Sequence, residues 1–257
     1  MSTRLGYLLN LGRTPYGEAW ELQRSLAAAV SQGSIPDTIV LVEHAPVITL
    51  GRRTDEEELH VPAGSEVEIV ETNRGGKSTY HGPGQLVGYP ILDLNRHGRD
   101  VKRYCRDLEE AVIHTLAAFQ LEATRIEGLT GVWLEGPPRK ICSIGVHISR
   151  WVTTHGYALN VDLDPAPFTD WITACGLEDA SFTTMARELD RPLTVDGVRP
   201  AAAEALAEVF GLALEELPAE EGIGLWPQPA HDRIAAKPMR ATRSGEAIGV
   251  EQVPARG

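Results

Sequence analysis

Cysteine, basic charge and long apolar runs are all scarce in this sequence, and each scarcity excludes a class of protein. The 257 residues hold three cysteines, and an odd number without a CxxC pair does not make a disulfide framework. In a reducing compartment each would be a free thiol. None of the eight histidines stands in an i,i+4 pair or in a cysteine-containing set, so no zinc motif is present. Lysine and arginine number 24 against 36 aspartate and glutamate, a net charge of −12, which disfavours nonspecific binding to a phosphate backbone. No apolar run approaches the roughly 20 residues of a membrane span. Near the start, Asn10, Gly12 and Arg13 interrupt Leu8, Leu9 and Leu11, so no signal-peptide core forms and a cytoplasmic protein is expected.

What remains is an ordinary globular composition, 42% hydrophobic and 23% charged, in a chain long enough for a sizeable core. Strands are expected over residues 6–11, 38–43, 47–50, 67–71, 85–94, 131–134, 141–148 and 157–161, the last two paired through a turn near 150–155. Thr14-Pro15 has the form of an N-cap followed by a first-turn proline, opening a helix to about Ser31. Val101, Tyr104, Cys105, Leu108, Val112, Leu116 and Phe119 recur at helical spacing. A further helix is expected over 200–210, closed by Gly211. Strands in hairpins and small groups favour an α+β domain with a mixed or antiparallel sheet. The domain is expected to span 1–226, with 227–257, which holds Pro227, Pro229, Pro238 and Pro254, a poorly ordered tail.

The densest unusual segment is Arg74-Gly75-Gly76-Lys77-Ser78-Thr79-Tyr80-His81-Gly82-Pro83-Gly84-Gln85. A phosphate-binding loop would need glycine where Glu71 stands, and a dinucleotide fingerprint would need it at Val87. Neither nucleotide loop fits. The glycines let backbone approach a ligand closely, although a tight connection between strands would use the same residues.

Of the three thiols, Cys105 falls on the apolar stripe of the long helix, and Cys142 alternates with Ile144, Val146 and Ile148 on one strand face, so packing accounts for both. Cys175 stands beside Gly176 outside any periodic segment, as an accessible loop cysteine would. Reactivity needs more, because a thiol of ordinary pKa near 8.5 requires a nearby cation or base. His81, His147 and Lys140 are candidates, the lysine pointing into a cleft or lying solvated at a strand end.

Taken together, these segments resemble the octanoyltransferase family, also called lipoyl(octanoyl) transferases or the lipoate-protein ligase B family. Residues 74–85 are similar to its RGGxxTYHGPGQ signature. Similar too are Glu43-His44, Thr49-Leu50-Gly51-Arg52, Arg139-Lys140-Ile141, Ser143-Ile144-Gly145, Gly156-Tyr157-Ala158-Leu159-Asn160-Val161 and Ala174-Cys175-Gly176. Ala174 departs from the proline often found before that cysteine, and Thr183-Thr184-Met185 matches only loosely.

The resemblance implies the fold of biotin and lipoate protein ligase catalytic domains. It implies Cys175 as acyl-thioester nucleophile and Lys140 as the group that lowers its pKa and moves protons. Arg74, Gly75, Gly76, Lys77, Ser78, Thr79, Tyr80 and His81, with Ser143, Ile144 and Gly145 and with Gly156, Tyr157 and Ala158, would line the acyl pocket. The donor would be octanoyl-acyl carrier protein. The acceptors would be lysines of lipoyl domains in 2-oxoacid dehydrogenase E2 subunits and the glycine cleavage H protein, and no cofactor would be required. The alternative on the same fold is an ATP-dependent lipoate or biotin protein ligase, which has no use for Cys175. Because such carriers are acidic like this chain, a local basic rim is expected, with Arg52, Arg53, Lys77 and Arg139 as candidates.

Overall fold

Ile39, Val40, Leu41 and Val42 carry no polar alternation, and the strand they form is buried on both faces, the condition under which such a run is stable. The computed structural model describes residues 3–62, 64–65, 67–172 and 181–218. The elements begin with β1 (Arg4–Arg13), α1 (Tyr16–Gln32), β2 (Asp37–Glu43), β3 (Val47–Leu50), β4 (Glu68–Glu71), β5 (Thr79–His81) and β6 (Gln85–Ile91). They continue with α2 (Val101–Ala117), β7 (Ala123–Ile126), β8 (Leu129–Leu134), β9 (Arg139–Ser149), β10 (Val152–Asn160) and α3 (Pro167–Asp170). After the undescribed residues 173–180 come β11 (Ser181–Phe182), α4 (Met185–Leu189), α5 (Val195–Phe210) and β12 (Leu212–Leu217).

The architecture is α+β. One sheet runs β12-β1-β2-β6-β10-β9-β8-β7, with β11 also paired to β9, and a small sheet runs β4-β3-β5. The large sheet is mixed: β1 lies parallel to β12 and β2, while β2-β6-β10-β9-β8-β7 is antiparallel throughout. Period-two alternation divides its residues between two cores. Leu8, Ile39, Leu41, Leu86 and Leu159 pack with α2 and α5, whereas Leu9, Val40, Val42, Val87 and Ala158 pack with α1.

Helix α2 starts where Asp100 accepts a hydrogen bond from the Arg103 N–H, and it buries Tyr104, Leu108, Ala111, Val112 and Leu116. Val101, counted in the sequence stripe, is exposed, and Cys105 is only half-buried. Three boundaries differ from expectation. Pro15 itself is the N-cap of α1, and the Thr14 hydroxyl donates instead to the Leu11 carbonyl at 3.1 Å. Helix α5 starts at Val195, because Thr194 caps it through the Gly197 N–H at 3.1 Å, and Pro200 lies inside. The β9–β10 turn contracts to Arg150 and Trp151, both left-handed with φ of 49° and 66°. Gly211 closes α5 in the left-handed conformation as expected. The expected tail, 227–257, lies outside the described residues. Among those described, no helix is long and apolar enough to cross a membrane.

Leu108 is completely buried between α2 and the sheet. Leu108→Ala is expected to cost about 2–5 kcal/mol, read as a lower urea midpoint with an unchanged slope; an unchanged midpoint would contradict this packing.

Candidate active site

The glycine-rich segment crosses from the small sheet to the large one, and its backbone is fastened to both. Gly75 N–H donates to Val146 O in β9 at 2.9 Å, while Arg52 and Arg53 N–H groups donate to Arg74 O and Gly76 O, each at 3.0 Å. Contact this close excludes side chains. A Cβ on Gly51 would stand 2.4 Å from Gly76 O, and one on Gly145 would stand 3.0 Å from Gly75 O. The buried Arg74 guanidinium fixes the turn from within, donating to Thr49 O at 2.6 Å, Lys77 O at 2.8 Å and Gly75 O at 3.0 Å.

Beneath this loop lies a cavity of about 440 Å³. Arg74, Gly75, Gly76, Lys77, Ser78, Thr79 and His81 line it from the loop, Lys140, Ser143, Ile144 and Gly145 from β9, and Gly156, Tyr157 and Ala158 from β10. Tyr80 does not: its ring turns away to pack edge-on against Phe168 and Trp171. Among the described residues no carboxylate lines the cavity. Among the described residues the Ser78 hydroxyl and the Trp133 indole N–H are buried without a hydrogen-bond partner, so both lining residues have a polar group to offer a ligand.

Sequence reasoning missed one wall altogether. Tyr16 from α1, Tyr89 from β6 and His155 from β10 meet there, three elements whose approach no spacing reveals. Tyr89 O–H donates to His44 Nε2 at 2.8 Å, since His44 Nδ1–H is committed to Thr14 O at 2.8 Å. His155 Nε2–H donates to Asn73 Oδ1 at 2.8 Å, which turns Nδ1 toward the Tyr16 hydroxyl at 3.4 Å. His81 Nδ1–H donates to Gln85 Oε1 at 2.7 Å. Burial holds all three rings neutral: His44 is lowered to about 4, and His81 and His155 to about 3, with His44 and the Arg74 guanidinium adding to the effect on His81 and Arg74 to that on His155.

Lys140 is buried, not solvated. Its ammonium stands 5.2 Å from the centroid of the Trp133 ring, within cation–π range. Cys175 lies outside the described residues. The chain that follows it pairs Ser181 with Arg139 and Phe182 with Lys140. Of the described thiols, Cys142 is buried and its pKa pushed up to about 12 by burial. Cys105 reaches the cavity wall, and burial first, then the Glu109 carboxylate, raise its pKa. Neither environment favours a thiolate. Of the four cations expected at a basic rim, Lys77 pairs with Glu58, and Arg139 pairs with Glu188 at 3.1 Å. Arg52 and Arg53 are exposed, with no ion pair among the described residues.

Residues 15–207 match the family described as lipoyl protein ligase A/B catalytic domain. The octanoyltransferase of Chloroflexus aurantiacus is 47% identical over 207 residues, 79% of this chain and 92% of the relative. That of Geobacter sulfurreducens is 47% identical over 211 residues, covering 82% and 87%, and that of Mycobacterium leprae 48% over 204, covering 78% and 86%. Among solved structures, a bi-partite archaeal lipoate protein ligase from Thermoplasma acidophilum superposes with a TM-score of 0.66 at 18% identity, over 86% of this chain and 90% of that one. A lipoate-protein ligase A bound with ATP gives 0.64 at 17%, over 86% and 92%. At such identities the structures establish a shared fold.

The neutral histidines make stability depend on pH. Below the ordinary value of about 6.5 the unfolded chain protonates these rings while the folded chain does not. Their contribution is therefore complete above about pH 6.5 and lost as pH falls toward the folded values, by roughly 1.4 kcal/mol per pH unit for each ring. Thermal unfolding is expected to show Tm falling between about pH 7 and about pH 5, with a shallower fall in His81→Gln; equal slopes for the two proteins would contradict the assignment.

Proposed function

The chain belongs to the lipoyl protein ligase A/B catalytic-domain family, and from that premise we propose that it moves an octanoyl group from octanoyl-acyl carrier protein to a lysine of a lipoyl domain through a thioester on Cys175. The acceptors are lipoyl domains of 2-oxoacid dehydrogenase E2 subunits and the glycine cleavage H protein. The observation that carries this reading is a buried lysine facing a cavity whose described lining holds no carboxylate. The strand that follows Cys175 in the chain is paired beside that lysine, which favours a meeting of the two groups. The 47% identical relatives named octanoyltransferase favour transfer over ATP-dependent ligation.

An ammonium near a thiol stabilises the thiolate by Coulomb attraction, most strongly where solvent is excluded. The Cys175 thiolate attacks the donor carbonyl, the carbon–sulfur bond to the carrier breaks, and Lys140 gives a proton to the departing thiolate. The acceptor amine then attacks the enzyme thioester. Its carbon–nitrogen bond forms as the bond to Cys175 breaks, and the amine's proton returns to Lys140. Thioester exchange is nearly balanced and amide formation runs downhill, so the cycle requires neither ATP nor metal. The loop glycines, with Ser143, Ile144, Gly145, Gly156, Tyr157 and Ala158, shape the room for the acyl chain. Arg52 and Arg53 serve as the basic rim for acidic carriers, the other two candidates being paired internally.

Incubation with octanoyl-acyl carrier protein, without ATP or acceptor, is expected to give a hydroxylamine-labile adduct that peptide mass spectrometry places on Cys175. An adduct on Cys142, or one formed only with ATP, overturns the proposal. Lys140→Ala is expected to slow acylation by about 100-fold or more. Reversing Arg52 and Arg53 to glutamate is expected to raise the carrier KM with little change in kcat, and an unchanged KM would remove the rim.

A further inference from the structure

Lys140 is held by a corner of the structure that the transfer reaction does not otherwise use. Glu109, on the buried face of α2, is 2% exposed. Its Oε1 accepts the Gly131 N–H at 3.1 Å, while Oε2 accepts from Arg106 Nη1 at 2.9 Å and Arg125 Nε at 3.1 Å. The carboxylate is therefore anchored on one side by two guanidinium groups and grips the β8 backbone with the other. Gly131 has φ of 124°, a conformation that favours glycine. A Cβ there would stand 2.8 Å from Lys140 Cε and 2.6 Å from Cys142 O. The lysine stem thus passes directly over the bare backbone that Glu109 holds. Beyond it, the β8–β9 register shifts between Val132 and Trp133, and Trp133 comes opposite Lys140 with its ring 5.2 Å from the ammonium.

We propose that Glu109 is a positioning residue: by fixing the Gly131 peptide it sets the channel through which Lys140 reaches the reacting sulfur. This rests on Lys140 acting on Cys175 as proposed above. The charged and titratable groups around the corner are Cys105, Arg106 and Glu110 on α2, Arg125 on β7 and Cys142 on β9. Arg125 pairs with Glu109 and Glu110, which leaves Glu109 Oε1 to the peptide N–H. Neither Glu109 nor Gly131 takes part in bond making.

The test reads the thiol itself. Iodoacetamide labelling of Cys175, followed by peptide mass spectrometry over a pH series, gives the midpoint at which the thiolate forms. Glu109→Ala, which frees the Gly131 peptide, and Gly131→Ala, which fills the channel, are both expected to move that midpoint up toward the free-thiol value of about 8.5. They are also expected to lower kcat by about 10-fold or more with KM within a few-fold. A merely structural role would lower Tm and leave the labelling midpoint where it was. Should Gly131→Ala fail to fold, Glu109→Ala decides alone; should that fail too, Glu109→Gln does, whose amide oxygen can still accept from Gly131. A midpoint in folded Glu109→Ala equal to that of the unaltered protein overturns the inference, and in its stead so does a folded Glu109→Gln shifted as far as Lys140→Ala. If Lys140→Ala itself leaves the midpoint unmoved, the lysine's proposed role fails and this inference with it. If Lys140→Ala moves it and Glu109→Ala does not, only the positioning role fails.

Discussion

The close approach of bare backbone to bare backbone at Gly51, Gly75, Gly76 and Gly145 is the constraint on which the site depends. A single Cβ on Gly51 would meet Gly76 O at 2.4 Å and one on Gly145 would crowd Gly75 O at 3.0 Å, so the loop lies this close to β3 and β9 because Gly51 and Gly145 stay bare. Arg74 makes the approach tolerable. Its guanidinium supplies donors to the Gly75 and Lys77 carbonyls of the turn and to Thr49 O of β3, and a carbonyl left unpaired away from water costs about 1–3 kcal/mol. Loop and cavity roof are one object, with the polar partners inside it and the open space beneath.

The same device recurs on the far side of the cavity. The ring of Tyr157 lies where a Gly88 Cβ would be, 2.3 Å away, and Gly156 would place a Cβ 2.1 Å from Gly88 O. Space taken from side chains at these points is filled by backbone, aromatic rings and the stem of Lys140. The titratable groups in and behind the wall stand in surroundings with little water, which is why burial dominates the lowered pKa values of His44, His81 and His155. Those rings serve as neutral hydrogen-bonding partners. Lys140 and Arg74 place positive charge in the cavity wall, while Lys77 is held by Glu58.

Much of the fold was legible because its signals are local. The α+β class, the long helix α2, the glycine cap at Gly211 and most strand positions follow from period and turn chemistry. Boundaries slipped where one hydrogen bond decided them: Thr194 caps α5 ahead of Pro200, and the left-handed pair Arg150 and Trp151 shortens the β9–β10 turn. Strand β5 was hidden inside the glycine-rich segment, and β12 gains its place only by lying parallel to β1.

The sequence alone determined which residues could carry chemistry here: the glycine signature, the lysine at the start of β9 and a cysteine outside any periodic segment. Spacing alone set only the cysteine apart, while the glycine segment and the lysine drew their reading from the family resemblance. Only the tertiary structure decided what surrounds them. It turned Tyr80 out of the cavity and brought Tyr16, Tyr89 and His155 into it. It left Lys77 and Arg139 to internal carboxylates and ran the stem of Lys140 over Gly131 beneath Glu109. Each of these depends on contacts between elements far apart in sequence, whose meeting is fixed by sheet order and packing, and no local pattern encodes them.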